Sequence, residues 1–149
     1  MRDHSAAVRA FFDAYARRFN EAIADPPKID SKGLREAFAD YFVGTDPKSV
    51  RGGKNGLFFR LMMQLGYRRY RKLGCKRMEL KHVEVTGLDD FHVLARTRWC
   101  SLFRRKDKSV VEIEFENIYL LHCPEGGAPK IFAWITPDEQ QALKDHGIV

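Results

Sequence analysis

Over residues 5–24 apolar side chains return every three or four positions. Val8, Phe11, Phe12, Tyr15, Phe19 and Ile23 share one face, while Arg9, Asp13, Arg17 and Glu21 fall off it. The pattern predicts an amphipathic helix with Ser5 as its N-cap, stopped by Asp25-Pro26-Pro27. A second stripe, Leu34, Ala37, Phe38, Tyr41 and Phe42, predicts a shorter helix over 32–42, opened by Ser31 and ended by Gly44-Thr45-Asp46-Pro47. Residues 51–56 read as a loop. A third helix is expected over 56–73, where Phe58, Leu61, Met62 and Leu65 are apolar and Phe59 and Met63 widen the face. Its first half is therefore expected to be nearly surrounded by protein. Its second half, Tyr67–Lys72, is amphipathic, and Gly74 suits the left-handed residue that closes a helix.

From Met78 onward the period becomes two. Val83 and Val85 alternate with polar residues. Val93, Ala95, Thr97, Trp99, Ser101 and Phe103 then line one face of a long strand. A turn at Lys106-Asp107-Lys108 leads to Val111, Ile113, Phe115, Asn117, Tyr119 and Leu121, with Glu112, Glu114 and Glu116 on the opposite side. Placing Arg105 opposite Ser109 sets Trp99 against Phe115 and Arg98 against Glu116. A one-residue slip would set Phe103 against Glu112 and spoil both faces. A last strand is expected near 130–136, with Phe132 and Trp134 on one side, followed by a short helix within 138–147. Helices followed by a meander of long strands define an α+β order in one domain over residues 1–149. A strongly curved, mainly antiparallel sheet can wrap around the first helix and leave a pocket at its open end.

Charge sharpens this picture in one segment. The 149 residues carry 26 Lys and Arg against 20 Asp and Glu, a formal charge of +6. From Lys48 to Arg77 there are ten Lys or Arg and no Asp or Glu. Such a stretch attracts nucleic acid, anionic lipid or an anionic small molecule. No nucleic-acid module is recognisable, and residues 51–56 lack the order of a phosphate loop, so a solvated helix face is the simpler reading. Cys75, Cys100 and Cys123 are odd in number and widely spaced, which fits free thiols in a reducing cytoplasm. No run is long enough to span a membrane, and no apolar leader opens the chain. The histidines show no metal-ligand spacing, so neither a metal nor another cofactor is expected.

The order of elements, together with particular residues, resembles the nuclear transport factor 2-like superfamily, the SnoaL-like and ketosteroid isomerase-like cones. The resemblance rests on Val8–Tyr15, Ala37–Phe42, Ala95–Trp99 and the ending Ile131–Ile135, with Asp138–Leu143 beyond it. It implies three N-terminal helices packed on the curved sheet. It also implies a site: Tyr15 as an oxyanion donor, Asp46 before Pro47 as the proton-shuttling base, and Asn117 where the family has a second acid donor. A carboxylate raised by an apolar pocket can take a proton beside a carbonyl while neutral donors hold the enolate oxygen. The expected pocket lining is Phe11, Phe12, Phe38, Phe58, Met62, Trp99, Phe115 and Trp134. Two functions stay open: a cofactor-independent isomerase, cyclase or dehydratase acting on a hydrophobic carbonyl compound, or a non-catalytic ligand-binding or assembly module. The expected partners are a small hydrophobic or weakly anionic molecule and a second copy of the chain, docked through the outer sheet face. A membrane is not expected, and nucleic acid is the weakest alternative.

Overall fold

The computed structural model describes residues 1–149. Helix α1 (Ser5–Ile23) buries Val8, Phe12, Ala16, Ala22 and Ile23. Val8 and Phe12 are wholly inaccessible, and burial of each such side chain contributes about 1.5–3 kcal/mol. The N-cap falls at His4 rather than Ser5. The Asp3 carboxylate accepts from the Ser5 N–H, so the carboxylate two residues earlier takes the orphan donor.

The second predicted helix is cut short. Helix α2 (Ser31–Glu36) is capped by the Asp30 carboxylate, which accepts from the Gly33 N–H at 2.9 Å. After Ala37 the chain turns extended, and Phe38–Asp46 is strand β1, paired with β2 (Ser49–Lys54), which replaces the expected loop. The stripe through Phe38, Tyr41 and Phe42 is compatible with either period over so short a run. Pairing decides it, because β1 lies parallel to β6 (Lys130–Ile135), ninety residues away, with Phe38 opposite Ile131 and Val43 opposite Ala133. Tyr41 consequently faces solvent.

Helix α3 (Leu57–Leu73) ends at Gly74, whose φ of 90° is the left-handed conformation that glycine adopts without strain. It is not surrounded by protein: Tyr67 is its only buried residue. Strands β3 (Cys75–Gly87), β4 (His92–Arg104) and β5 (Val110–His122) follow as an antiparallel meander, and helix α4 (Glu139–Asp145) closes the chain. The β4–β5 register is the expected one: Trp99 faces Phe115, Arg98 faces Glu116, and the Arg105 N–H donates to the Ser109 carbonyl at 2.8 Å.

The six strands lie in the order β2-β1-β6-β5-β4-β3. Irregularities interrupt β3 twice, between Cys75 and Arg77 and between Leu80 and His82. Bulges increase strand bend and twist, so the long β3–β4–β5 sheet curls over α1. Another shift, between Leu120 and Leu121, alters β6: Ile131 and Trp134 both turn inward, and Phe132 turns out against His92. The result is an α+β cone with the helices on the concave face of a curved sheet. Cys75, Cys100 and Cys123 are buried and unpaired. No helix is long and apolar enough to cross a membrane.

Candidate functional site

A cavity of about 380 Å³ lies between α1, α3 and the concave sheet, with α4 at one edge. Its wall is apolar over most of its extent: Phe38, Phe59, Met62, Trp99, Phe115 and Trp134 all face it. The aromatic residues brace one another, with Phe38 against Phe59 at 5.0 Å and against Trp134 at 5.5 Å between ring centroids. Alternation along β4 and β5 delivers Trp99, Ser101, Phe115, Asn117 and Tyr119 to one surface, and the α1 period adds Tyr15.

Three polar side chains gather on this wall. The Asn117 amide donates from Nδ2 to the Tyr119 hydroxyl at 3.2 Å. The Tyr15 ring packs edge-on against Tyr119 at 6.2 Å between centroids. Burial pushes the Tyr15 phenol well above its ordinary value, and the neighbouring Tyr119 adds to the shift. Tyr119 is also raised by burial, with the Asn117 hydrogen bond pulling the other way. Both phenols therefore stay neutral donors across the physiological range. Asn117 Oδ1 is buried without a hydrogen-bond partner. The other polar groups nearby are satisfied: Trp99 Nε1 donates to Thr97 Oγ1 at 2.7 Å, and Thr97 Oγ1 donates to the Asn117 carbonyl at 2.9 Å.

Asp46 does not join this cluster. It sits at the β1–β2 turn, exposed, with its Oδ1 accepting from the Lys48 N–H at 2.8 Å and the Ser49 N–H at 3.0 Å. Those donors, Lys48 first, hold its carboxyl below the usual range, the reverse of what a proton-accepting base in an apolar pocket needs. The expectation for Asp46 is corrected because β1 runs extended through this segment and carries the carboxylate to the hairpin tip. Phe58 also lies off the cavity, exposed on the far side of α3, and Phe59 takes the place expected of it. Phe12 is core, and Phe11 packs edge-on against it at 5.0 Å, so neither reaches the wall.

The carboxylate that does line the cavity is Glu139, the first residue of α4. The Tyr70 hydroxyl donates a hydrogen bond to Glu139 Oε1, and Arg69 donates to Gln140 Oε1 at 2.8 Å. Burial, with Glu139 beside it, pushes the Tyr70 phenol well up. The Asp138 carboxylate caps α4 by accepting from the Gln141 N–H at 3.0 Å and meets Lys48 Nζ at 3.5 Å. These bonds hold α4 across one edge of the mouth. Nothing local in the sequence distinguishes Glu139 from an ordinary acidic first turn of a helix.

A concave sheet wrapped on helices, with an apolar hollow between them, defines the nuclear transport factor 2-like class of α+β cones. The chain belongs to it: residues 3–139 match the family described as NTF2-like protein (DUF6841). No curated protein is close enough in sequence to match. Among solved structures, the chain is similar to a ketosteroid isomerase-like protein from Erwinia carotovora atroseptica SCRI1043, at a TM-score of 0.61 and 17% identity over 92% of this chain and 97% of that one. It is also similar to an NTF2-like protein with a cystatin-like fold from Novosphingobium aromaticivorans, at 0.65 and 11% over 97% and 88%. An NTF2-like protein of unknown function from Shewanella oneidensis MR-1 superimposes at 0.58 with 11% identity over 91% and 100%. Identities this low speak to fold alone.

Proposed function

We propose that this chain binds a small, largely apolar molecule in the cavity and engages its one polar group with Asn117, Tyr119 and Tyr15. The observation that carries the reading is the incomplete polar cluster on an otherwise greasy wall. Asn117 Oδ1 is buried without a partner, so a ligand hydroxyl or amine in reach of a reoriented amide would complete the cluster. The ligand is uncharged or weakly anionic, since the neutral phenols donate and no cation lines the wall. Naphthalene and 2-naphthol test this, because they differ by one hydroxyl and both are smaller than the cavity. Fluorescence titration of the folded chain should show 2-naphthol binding about 3–10-fold more tightly, the worth of one net hydrogen bond. Asn117→Leu should erase that preference while leaving naphthalene binding in place. Absence of saturable binding by either compound would overturn the reading.

Glu139 supports a second reading, proton transfer beside a carbonyl as in a cofactor-independent isomerase, cyclase or dehydratase. In this scheme the Glu139 carboxylate takes the proton and the tyrosine hydroxyls hold the enolate oxygen. Deuterium exchange into the α-positions of 2-tetralone, followed by NMR, should then be accelerated by the native chain and lost in Glu139→Gln. Exchange at the solvent rate leaves ligand binding as the function.

The three buried thiols fit a reducing cytoplasm. The outer sheet face, with Leu94, Leu102, Ile118 and Leu120 among its charges, supports a homodimer. Light scattering behind size-exclusion chromatography should return twice the chain mass at micromolar concentration.

A further inference from the structure

The outward side of α3 has no partner within the chain. Leu57, Phe58, Leu61, Met62 and Leu65 are 66%, 77%, 48%, 49% and 53% exposed. At 100° per residue they form one row over the first turns of the helix, opposite Tyr67, which is buried. Single exposed apolar side chains are ordinary; a contiguous row on successive turns marks an interaction surface. On the same side the last turns carry Arg68, Arg69 and Lys72, all exposed. The helix is thus greasy at its beginning and basic at its end, within a segment of ten cations and no carboxylate.

We propose that this side of α3 docks the protein on an anionic lipid surface. The row enters the boundary between headgroups and acyl chains, and the basic turns lie on anionic headgroups. Charge and shape select this occupant. A second copy of the chain would bring together two segments that each carry ten cations and no carboxylate to answer them. A nucleic acid would answer the cations and leave the aliphatic row in water. A folded protein partner needs a complementary groove for a convex helix, whereas a fluid interface accepts a convex apolar row directly. Docking of this kind crosses nothing, so it requires no spanning helix. Met62 belongs both to the row and to the cavity wall, so the cavity opens at the docking side. An apolar ligand dissolved in the bilayer would therefore reach the cavity with little exposure to water. That last point rests on the proposed binding function; the docking itself does not.

Sedimentation of the full chain with vesicles of phosphatidylcholine, with or without phosphatidylserine, tests the proposal. Binding is expected on the anionic vesicles and should fall as salt rises. Arg68→Gln and Lys72→Gln should each weaken it about fivefold. Phe58→Ser and Leu61→Ser should each weaken it tenfold or more. All four side chains are exposed and none touches the cavity, so thermal stability and 2-naphthol binding in vesicle-free buffer should stay unchanged. A failed vesicle experiment is thereby separable from a failed cavity. Equal binding to both vesicle types, or no binding to either, would overturn the docking. So would a chain dimer that Phe58→Ser and Leu61→Ser dissociate, or an oligonucleotide that binds the row in preference to vesicles.

Discussion

Gly44 shows how one missing side chain shapes the cavity. A Cβ built there would lie 2.5 Å from Trp134 Cε2 and 2.6 Å from Cζ2, while the indole is braced by Phe38 and by Phe42 at 5.2 Å. A rigid ring held on two sides yields only toward the cavity. Gly44→Ala is expected to cost about 1–3 kcal/mol in urea unfolding and to weaken 2-naphthol binding as Trp134 moves into its space. Gly74, by contrast, was readable beforehand as a helix terminator, since a basic final turn followed by glycine is a local signal. Gly44 was not readable so, because Trp134 meets it only through the parallel β1–β6 pairing. The same distinction separates the site residues. The faces of Tyr15 and Asn117 follow from the period of their own elements, whereas Asp46 entered only through the family resemblance, whose helix is here cut short at Glu36.

At the scale of elements, one asparagine joins α1 to the sheet. Asn20 Nδ2 donates to the Ala16 carbonyl at 2.9 Å and to the Met78 carbonyl at 2.8 Å, and Asn20 Oδ1 accepts from the Met78 N–H at 2.8 Å. Because β3 is an edge strand, Met78 has no neighbouring strand on that side, and Asn20 supplies the missing pairing. Asn20→Leu leaves both Met78 backbone groups unsatisfied, so a loss of about 2–4 kcal/mol is expected by urea unfolding. Amide exchange at Met78 should rise more than exchange in mid-β4. The β4–β5 hairpin was legible in sequence because apolar and charged residues alternate over its full length and only one register keeps both faces consistent. The 32–54 segment was not. Its apolar run is short enough to satisfy two periods, and its sheet partner lies at the far end of the chain.

For the whole molecule, the ionisable groups buried in and around the cavity set the alkaline limit. Burial pushes the Cys75 thiol up to about 12 from an ordinary 9.0, and burial also raises Tyr15, Tyr67, Tyr70 and Tyr119 above 10.0. Each group binds its proton more tightly in the folded chain. Below pH about 9 both states are protonated and this contribution is fully present. As pH rises further the unfolded chain ionises first, so stability should fall progressively toward pH about 12, read as a declining urea midpoint. A flat midpoint across that range would contradict the burial of these groups.

What the amino-acid order determined by itself was local and periodic: α1, α3, the long antiparallel hairpins and the side chains that share a face within each. Side-chain period is a property of consecutive residues, so it survives without knowledge of the fold. Tertiary structure alone decided that Phe38–Asp46 is a strand, that Glu139 borders the cavity, and that the row on α3 is left uncovered. Each of those depends on contacts between segments distant in sequence. Their free energy arises only when the sheet closes over the helices, and no nearby residue records it.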